Sequence, residues 1–495
     1  MGIVLSYACT VVGICISLFY TPVLIRSLGQ SEYGIMKIAN SVMVYLQIIT
    51  VGIDGCVLRF VSRAISGNDK DEENRVISIF VMLYVAMSVI ILIIGTVVLC
   101  TFDRAFAKGL TAHEIYKTKI ILLISLASII VSLPLGVYSG VITAHERFVP
   151  SKIILLVSKV LDPVFTLPLL LIGFKSIGAT CAAAMVGIIR SLAYYIYCKK
   201  KLRTKFVIVK PDKEIIREMS VFSIYVFITA IADKILWSTD QLILGALCSS
   251  ASVAVYGVGN TIAYFQIMFS TAISGVYAPK VIKMIDNGCK ISEISNLFVK
   301  IARSQLMVLS LLVCGIVVFG RQFISLWAGD GYDNAYYVAI ITMIPMLVPI
   351  SQNIMISVLQ AMNMQKFRSL MYLASALFNL GISIPLAIKY KEIGCVAASA
   401  VALIAFNIII MNVYYARVIH VDIGRYWKEL IKITAPIAVL TIASYFIVSK
   451  ANIGSWISLG IGAIVFTALY LGILWVFCMS KDEKNQIKHV VFRRK

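Results

Sequence analysis

Apolar stretches long enough to cross a membrane follow one another along nearly the whole chain. A spanning helix needs about 20 mostly apolar residues to cross a hydrocarbon layer about 30 Å thick. Of the 495 residues, 60% are hydrophobic and 14% are charged, and the mean hydropathy is +0.93. A water-soluble core cannot absorb so many apolar side chains. We therefore predict an all-α polytopic membrane protein.

The apolar stretches predict about 14 transmembrane helices. Six lie in the first part of the chain, at 4–26, 35–60, 76–101, 119–144, 151–173 and 177–198. Eight more follow, at 219–247, 252–276, 298–325, 335–361, 368–388, 393–416, 430–449 and 455–479. The hydrophilic stretches between these helices are short linkers, too small to fold as enzyme domains.

Lys and Arg are unequally distributed over the predicted loops. Alternate loops carry roughly 29 of them on the side that holds both termini and roughly 10 on the opposite side. We therefore predict an inner-membrane protein with both termini in the cytoplasm. The basic residues lie in short runs between apolar stretches, such as 199–205, and not on one soluble face. The net charge of +21 therefore predicts no nucleic-acid partner.

Short matches recur along the chain at nearly constant spacing. Tyr45-Leu46-Gln47-Ile48 recurs as Tyr264-Phe265-Gln266-Ile267, and Lys175-Ser176-Ile177-Gly178 recurs as Lys391-Glu392-Ile393-Gly394. Since the repeating unit has six helices, an even number, both copies enter the membrane in the same direction, which predicts two parallel lobes with a substrate cleft between them. The predicted organisation is an N-terminal lobe at 1–203, a cytoplasmic basic linker at 204–218, a C-terminal lobe at 219–420, and two extra helices with a basic tail at 421–495.

Polar and charged residues inside the predicted helices are the candidate substrate-binding residues. A charge at membrane depth costs roughly 2.5 to 3.5 kcal/mol on insertion scales, so such a residue usually faces a cavity, a partner or water. Spacing groups several of them on shared helix faces. The groups are Asn40, Gln47 and Asp54; Lys159 and Asp162, followed by Pro163 and Pro168; and Asp233 and Asp240, with Lys234 beside them.

Other candidates stand alone or carry no charge. Arg190 lies deep in the sixth predicted helix, whereas Arg59 and Arg303 lie near helix ends, where their side chains can instead extend to the headgroups. Tyr256, Asn260 and Tyr264 line up at four-residue spacing, which suits a sugar ring and its hydroxyls but equally suits polar contacts between packed helices. Lys159 and Asp162 are expected to form an ion pair with each other in their simplest state.

Sequence motifs for catalysis are missing. The chain has no nucleotide-binding P-loop and no metallohydrolase motif, and its eleven Cys are scattered without ligand spacing. We predict no catalytic residues, no metal and no enzymatic activity. A membrane enzyme is the rival from another class, although the outer loops at 102–118 and 326–334 offer few acids or bases.

Motifs at several helix ends resemble those of bacterial polysaccharide flippases. The turn from Leu24 to Gly34 is similar to the R-x-L-G-x-x-x-Y-G turn between the first two helices of that family. Supporting matches are Ala144-His145-Glu146-Arg147-Phe148, Asp240-Gln241-Leu242-Ile243-Leu244-Gly245 and Val255-Tyr256-Gly257. The resemblance covers essentially the whole chain and places it in the multidrug, oligosaccharidyl-lipid and polysaccharide exporter superfamily, among Wzx-type flippases of O-antigen or capsule repeat units.

The resemblance implies the cargo and the way it is moved. Two six-helix lobes would alternate between inward and outward openings and move an undecaprenyl-diphosphate-linked oligosaccharide to the outer leaflet. Arg26, Arg59, Lys159 and Arg190 would attract the diphosphate, and Asp54, Asp233 and Asp240 would partner them or couple transport to a proton or sodium gradient. No cofactor is implied, and the polysaccharide polymerase of the pathway is a further expected partner. A drug/cation antiporter and a lipid II flippase of the same superfamily remain the alternatives.

Overall fold

The computed structural model describes residues 2–67, 69–207, 231, 234–451, 454–480 and 483–485, and these are almost entirely helical. The first helices are α1 (Gly2–Ser66), α2 (Lys70–Phe106), α3 (Ala112–Ala144), α4 (Phe148–Leu171) and α5 (Lys175–Tyr197), which continues as a π-helical turn (Cys198–Leu202). In α1, the side chains of 2–8, 10, 11, 52 and 54 lie outside the described part. No strand occurs within the described ranges.

The second set of helices begins with α6 at 234–247. It continues with α7 (Ser250–Asp286), α8 (Ile291–Ala328), α9 (Asn334–Ser351), α10 (Ile354–Ala361), α11 (Gln365–Ala402), a π-helical segment (Leu403–Ile410), α12 (Met411–Arg417), α13 (Ile423–Lys450) and α14 (Trp456–Ile473), which ends in a π-turn (Leu474–Cys478). Among the described residues, ten continuous helical stretches are long and apolar enough to span a membrane. Two of these, α1 and the stretch 365–417, each cover two predicted spans.

The boundaries differ from prediction at two turns. We expected a loop between 26 and 35, but α1 runs through this region and is interrupted only at Gly29, whose φ is 75° and ψ is 173°. This backbone conformation is essentially restricted to glycine, so one residue interrupts the helix where a loop was predicted. Within α11, Lys391 interrupts the helix in the same way, with φ of 51°. The described helices nevertheless confirm the predicted all-α polytopic fold with about 14 helices.

The sequence repeat is visible in the backbone. Lys175 and Lys391, which open the two copies of the Lys-x-Ile-Gly motif, both have positive φ, at 45° and 51°. Non-glycine residues rarely adopt this conformation. The two copies of the motif therefore share a local fold as well as a sequence.

Two compact units make up the chain. The first contains Met1–Ala254 and Ser383–Lys391, and the second contains Val255–Ile382 and Glu392–Lys495. In the first unit α3 packs on α1, α2 and α5, and α4 packs on α5 and α1. In the second, α8 packs against α13, α9 and α14. The predicted six-helix lobes, whose linker at 204–218 lies largely outside the described residues, remain a prediction.

The start of the predicted linker lies against α2. The backbone N–H of Lys205 donates to the Asn74 side chain at 2.8 Å, and that of Val207 donates to the Ser78 hydroxyl at 2.9 Å. Both acceptors are buried. The chain that leaves α5 is therefore fastened to the first unit at least as far as residue 207.

Two carboxylates tie together the helix ends near Gly29. Glu32 accepts hydrogen bonds from Lys117, at the start of α3, and from Ser176, at the start of α5. Glu114 accepts from Ser31 and Ser250 and completes a capping box with Thr111. Burial alone would raise the pKa of each carboxyl, but these hydrogen bonds, and for Glu32 the charge of Lys117, lower both pKa values below 4.5.

Close backbone packing accompanies these contacts at Gly34. A Cβ atom at this position would overlap the backbone carbonyl oxygen of Ser250, the first residue of α7. We expect Gly34→Ala to lower the free energy of unfolding by about 1 to 3 kcal/mol, because the backbone of Ser250 has to move. Thermal unfolding in detergent checks this. Gly136→Ala, in α3 with open space around the added methyl, is the matched control and should not destabilise the protein; equal effects of both changes would contradict the packing.

The lowered carboxyl pKa values also predict acid sensitivity. A carboxyl group with a depressed folded-state pKa contributes stability above its ordinary value, and this stability is lost as the pH falls through the folded-state pKa. We expect the unfolding temperature of the wild type to fall as the pH is lowered from about 5 to about 3. The double variant Glu32→Gln, Glu114→Gln should start lower and change less over this range. Asp286→Asn, at an exposed carboxylate, should keep the wild-type pH profile, and an unchanged profile in the double variant would disprove the assignment.

Candidate functional site

The half-buried residues Lys159 and Asp162 lie one helical turn apart on α4. Pro163 and Pro168 follow inside the same helix. Proline has no N–H to donate, so the helix loses two backbone hydrogen bonds beside the charged residues. The local sequence thus places two charges on one face of a helix that is weakened at the same level.

Asp162 interacts with α5 and α1. The carboxylate lies close enough to the guanidinium of Arg190 on α5 for their charges to interact. The Tyr20 side chain of α1 lies near the same carboxylate, and its hydroxyl faces Thr166 of α4. The Thr166 hydroxyl is fully buried, and the Tyr20 hydroxyl is the group that faces it. Such a pair of hydroxyls inside a helix bundle is a candidate ligand contact.

Lys159 turns toward the first arm of α1. Its Nζ lies 3.5 Å from the backbone carbonyl oxygen of Cys9, and a Cβ atom on Gly13 would lie 2.6 Å from the same nitrogen. The absence of a side chain at Gly13 therefore leaves the space that the ammonium group occupies. The predicted ion pair between Lys159 and Asp162 is not present in the described structure, because the two side chains have separate partners.

Tyr194 completes the arrangement one turn after Arg190. Its ring is buried, the charge of Arg190 acts on it, and its hydroxyl faces Ser139 of α3 and Ser151 of α4. We call the set Tyr20, Lys159, Asp162, Thr166, Arg190 and Tyr194 the first-unit polar cluster. It combines two cations, one carboxylate and three hydroxyls, which suits an anionic group attached to a polyhydroxyl ligand. Among the residues that the structure describes, no three acidic, His or Cys side chains are grouped to hold a metal.

The remaining predicted residues of the first unit lie elsewhere. Arg26, Asn40, Gln47 and Arg59 on α1 are exposed. Asn40 and Gln47 share a face, as predicted, whereas Ser41 and Tyr45 point to α6 and contact Gln241 and Thr239. The side chain of Asp54 and all of Asp233 lie outside the described residues.

Asp240 and Lys234 belong to α6. Asp240 is fully buried and accepts a hydrogen bond from Ser383 at 3.2 Å. Lys234 is half-buried, and its backbone carbonyl accepts a hydrogen bond from Tyr45 at 3.3 Å. These contacts fasten α6 within the first unit, where Asp240 is closed off from solvent.

Tyr256, Asn260 and Tyr264 lie on α7 in the second unit. Burial decreases along the row, from 5% exposure at Tyr256 through the half-buried Asn260 to 56% at Tyr264. Between the first two, Gly259 allows close approach to α9, since an added Cβ would lie 2.7 Å from the Ala335 carbonyl oxygen. Only the later part of this row is open to a ligand in the second unit.

Arg303 on α8 is buried among carboxylates of the second unit. It forms a bidentate contact with Glu483 at 3.1 and 3.0 Å, an ion pair with Glu429, and a 2.9 Å hydrogen bond to the Cys478 carbonyl. Burial alone would raise the pKa of Glu483, but hydrogen bonds from Arg303 and Ser480, together with the charge of Arg303, lower it. Because the carboxylates of Glu429 and Glu483 both neutralise its charge, we leave Arg303 out of the candidate site.

Sequence analysis missed Tyr20, Thr166, Tyr194 and Gly13. Tyr194 was within reach of helical spacing, because it follows Arg190 by four residues and so shares its face. Tyr20 and Gly13 gave no such signal, since their partners on α4 are distant in the chain. Thr166 differs from an ordinary helix threonine only through its full burial.

Apolar helices of spanning length, a helix with two internal prolines beside charged residues, and a polar cluster between α1, α4 and α5 define a polytopic membrane transport protein. The chain belongs to the polysaccharide biosynthesis protein family (Polysacc_synt), whose model matches residues 2–285. It is 22% identical over 488 residues to "Uncharacterized membrane protein EpsK" of Bacillus subtilis (strain 168), covering 95% of this chain and 94% of that protein. It is 24% identical over 409 residues to "Putative O-antigen transporter" of Escherichia coli (strain K12), covering 79% and 89%.

Solved structures share the fold. The lipid II flippase MurJ in an inward closed conformation matches with a TM-score of 0.67 at 14% identity, covering 95% of this chain and 98% of that one. An inward-facing multidrug resistance MATE family transporter of the MOP superfamily matches with a TM-score of 0.59 at 16% identity, covering 80% and 96%. These likenesses confirm the predicted fold class.

The contact between Gly13 and Lys159 predicts that Gly13→Ala changes the stability in opposite directions with and without the Lys159 side chain. Gly13→Ala should destabilise the wild type slightly, because the methyl group displaces the ammonium group. In a Lys159→Ala background the clash is absent, and the same change should stabilise by up to about 1 kcal/mol because alanine is the better helix former. A double-mutant cycle read by thermal unfolding in detergent checks this. Additive effects in the two backgrounds would show that the two residues do not touch.

Proposed function

We propose that this chain is a flippase that moves undecaprenyl-diphosphate-linked oligosaccharide repeat units from the cytoplasmic to the outer leaflet by alternating access. Membership in the polysaccharide biosynthesis family and similarity to a putative O-antigen transporter support this cargo class. The likeness in fold to a lipid II flippase supports the mode of movement. The polysaccharide polymerase of the same pathway is the proposed downstream partner, and the bacterial inner membrane, with both termini cytoplasmic, is the proposed location.

The observation that carries the proposal is the charge balance of the first-unit polar cluster. Arg190 and Lys159 supply two cations against the single carboxylate of Asp162, so the cluster lacks one negative charge. A diphosphate supplies that charge and accepts charge-assisted hydrogen bonds from both cations. The hydroxyls of Tyr20, Thr166 and Tyr194 can then bond the first sugar or the bridging oxygens. A half-buried cluster with a net positive charge attracts an anion more strongly than a fully solvated one.

Asp162 provides the means to release the cargo. When the carboxylate interacts with Arg190, it competes with a diphosphate for the same guanidinium. Binding of a proton or a sodium ion to Asp162 would free Arg190 for the cargo, and loss of that cation would restore the competition. We propose that gradient coupling, if the cycle uses it, acts through this competition, without any cofactor and without catalysis.

We propose that the cargo also contacts exposed residues of α1, namely Arg26, Asn40, Gln47 and Arg59. In the second unit the proposed contacts are Asn260 and Tyr264. Asp54, Lys234, Asp233, Asp240 and Tyr256 stay in the wider proposal from sequence. Their test is the same complementation assay as for the cluster. Residues of the cluster should give the larger defects because they are enclosed.

Two other cargoes fit the same fold. A drug or cation would be held by Asp162 with its aromatic neighbour Tyr20, the arrangement that favours a cation–π contact. Lipid II carries the same diphosphate and polyprenyl groups and differs in its sugar and peptide. The cluster distinguishes the first alternative by charge, since a site with two cations repels a cationic drug.

We expect deletion of the gene to cause undecaprenyl-diphosphate oligosaccharide to accumulate, shielded from a glycosidase added at the outer face. Re-expressed Arg190→Ala should restore transport at least about tenfold less well than wild type, because the diphosphate loses a charge-assisted partner. Arg104→Ala, at an exposed arginine of the same unit, is the matched control and should complement fully. Lipid extraction and protein levels in membranes are measured together.

The outcomes separate the cargoes. Unchanged lipid-linked oligosaccharide, with cationic dyes retained in the deletion strain, would replace the flippase by an antiporter. Accumulation of lipid II with normal surface polysaccharide would point to the peptidoglycan precursor. Full complementation by Arg190→Ala at normal expression would remove the first-unit polar cluster from the binding site.

A further inference from the structure

An aromatic group lies at one end of the second unit, where α8 and α13 end and α9 and α14 begin. Phe323 stacks on Trp327 at 5.6 Å and meets Trp456 edge-on at 6.1 Å. Tyr336 and Tyr337 pack together with ring centroids 5.4 Å apart. Aromatic residues of this kind concentrate where the hydrocarbon layer meets the headgroups.

Arg321 lies within this group. Its guanidinium carbon is 5.1 Å from the ring centroid of Tyr336 and 5.5 Å from that of Tyr337, and one of its nitrogens donates to the Tyr337 hydroxyl at 2.7 Å. The side chain is exposed. In the described part of the chain no carboxylate lies within ion-pair distance of it. Of the five donors of a guanidinium, most are therefore left for a ligand.

Position along α8 sets the depth of Arg321. It follows Arg303 by 18 residues, which corresponds to about 27 Å along a helix and five full turns. The hydrocarbon layer is about 30 Å thick, so two charges with this separation on one helix fit at its opposite boundaries. Arg303 is neutralised by Glu429 and Glu483 at one boundary. Arg321 meets the other boundary without a carboxylate.

We propose that Arg321 and Tyr337 form a binding site for the phosphate of an anionic lipid headgroup at the boundary opposite Arg303. A fork of N–H donors fixed by a tyrosine hydroxyl matches the oxygens of a phosphodiester. The exposed side chains of Trp456 and Ile457, at 50% and 75% exposure, offer apolar surface at the start of α14 for the acyl chains. The predicted topology makes this the outer leaflet. The site is distinct from the first-unit polar cluster, because it lies in the other unit.

Titration of the purified full-length protein in non-ionic detergent with short-chain phosphatidylglycerol, followed by native mass spectrometry, tests the site. Wild type should retain a first lipid that Arg321→Gln binds at least about tenfold more weakly, the equivalent of one lost charge-assisted hydrogen bond. Tyr337→Phe, which keeps the charge and the ring, should fall between them. Arg104→Gln, an exposed arginine in the first unit, should bind as wild type does.

Equal retention of the first phosphatidylglycerol by wild type and Arg321→Gln would overturn the proposal. So would displacement of that lipid by inorganic phosphate at the same concentration as short-chain phosphatidylglycerol, which would identify a site for free phosphate. If Arg321→Gln cannot be purified, Tyr337→Phe decides alone, and wild-type affinity in that variant would count against the site. Helix content measured by circular dichroism before each titration separates lost binding from lost folding.

Discussion

A peptide group inside the hydrocarbon layer has no water to bond, and this requirement governs the whole fold. The described part of the chain satisfies its backbone N–H and C=O groups through helices, and the helical pattern is disturbed at particular residues. Gly29 interrupts α1 through a backbone conformation that is essentially restricted to glycine. Pro163 and Pro168 remove backbone donors in α4, next to Lys159 and Asp162. α4 therefore lacks two backbone donors close to its charged side chains.

Buried carboxylates hold the helix ends in each unit. In the first unit Glu32, in the turn after Gly29, receives hydrogen bonds from the starts of α3 and α5. In the second unit Glu392, at the repeat position of Ser176, accepts a hydrogen bond from Asn334 at the start of α9. The carboxylate comes from a different helix in each case, yet it joins corresponding helix starts. The two copies of the repeat therefore share the connection between these helix starts, although a different residue supplies the carboxylate in each copy.

Hydropathy predicted the spans because the membrane constrains every helix in the same way, whatever its neighbours. Helical spacing also predicted correctly that Lys159 and Asp162 share a face. It could not predict their partners, since Cys9 and Arg190 approach from other helices and the contact is decided by packing. The break near Gly29 was predicted, but the loop was predicted too long, because hydropathy reports polarity and a polar segment can still be helical. The same limit hid Tyr20, an ordinary aromatic residue in an apolar helix until α4 is placed beside it.

The arginines of this chain show why burial alone does not identify a binding residue. Arg303 is more deeply buried than Arg190, but two carboxylates and a carbonyl oxygen satisfy its donors. An anion could displace them only by leaving Glu429 and Glu483 without their partner, which costs several kcal/mol. Arg190 has one carboxylate neighbour, Asp162, and its other neighbour in the cluster is the hydroxyl-bearing side chain of Tyr194. Hydroxyl groups exchange hydrogen-bond partners at little cost. A transport site needs a cation that can change partners within each cycle, and the composition of its neighbours is what makes that exchange possible.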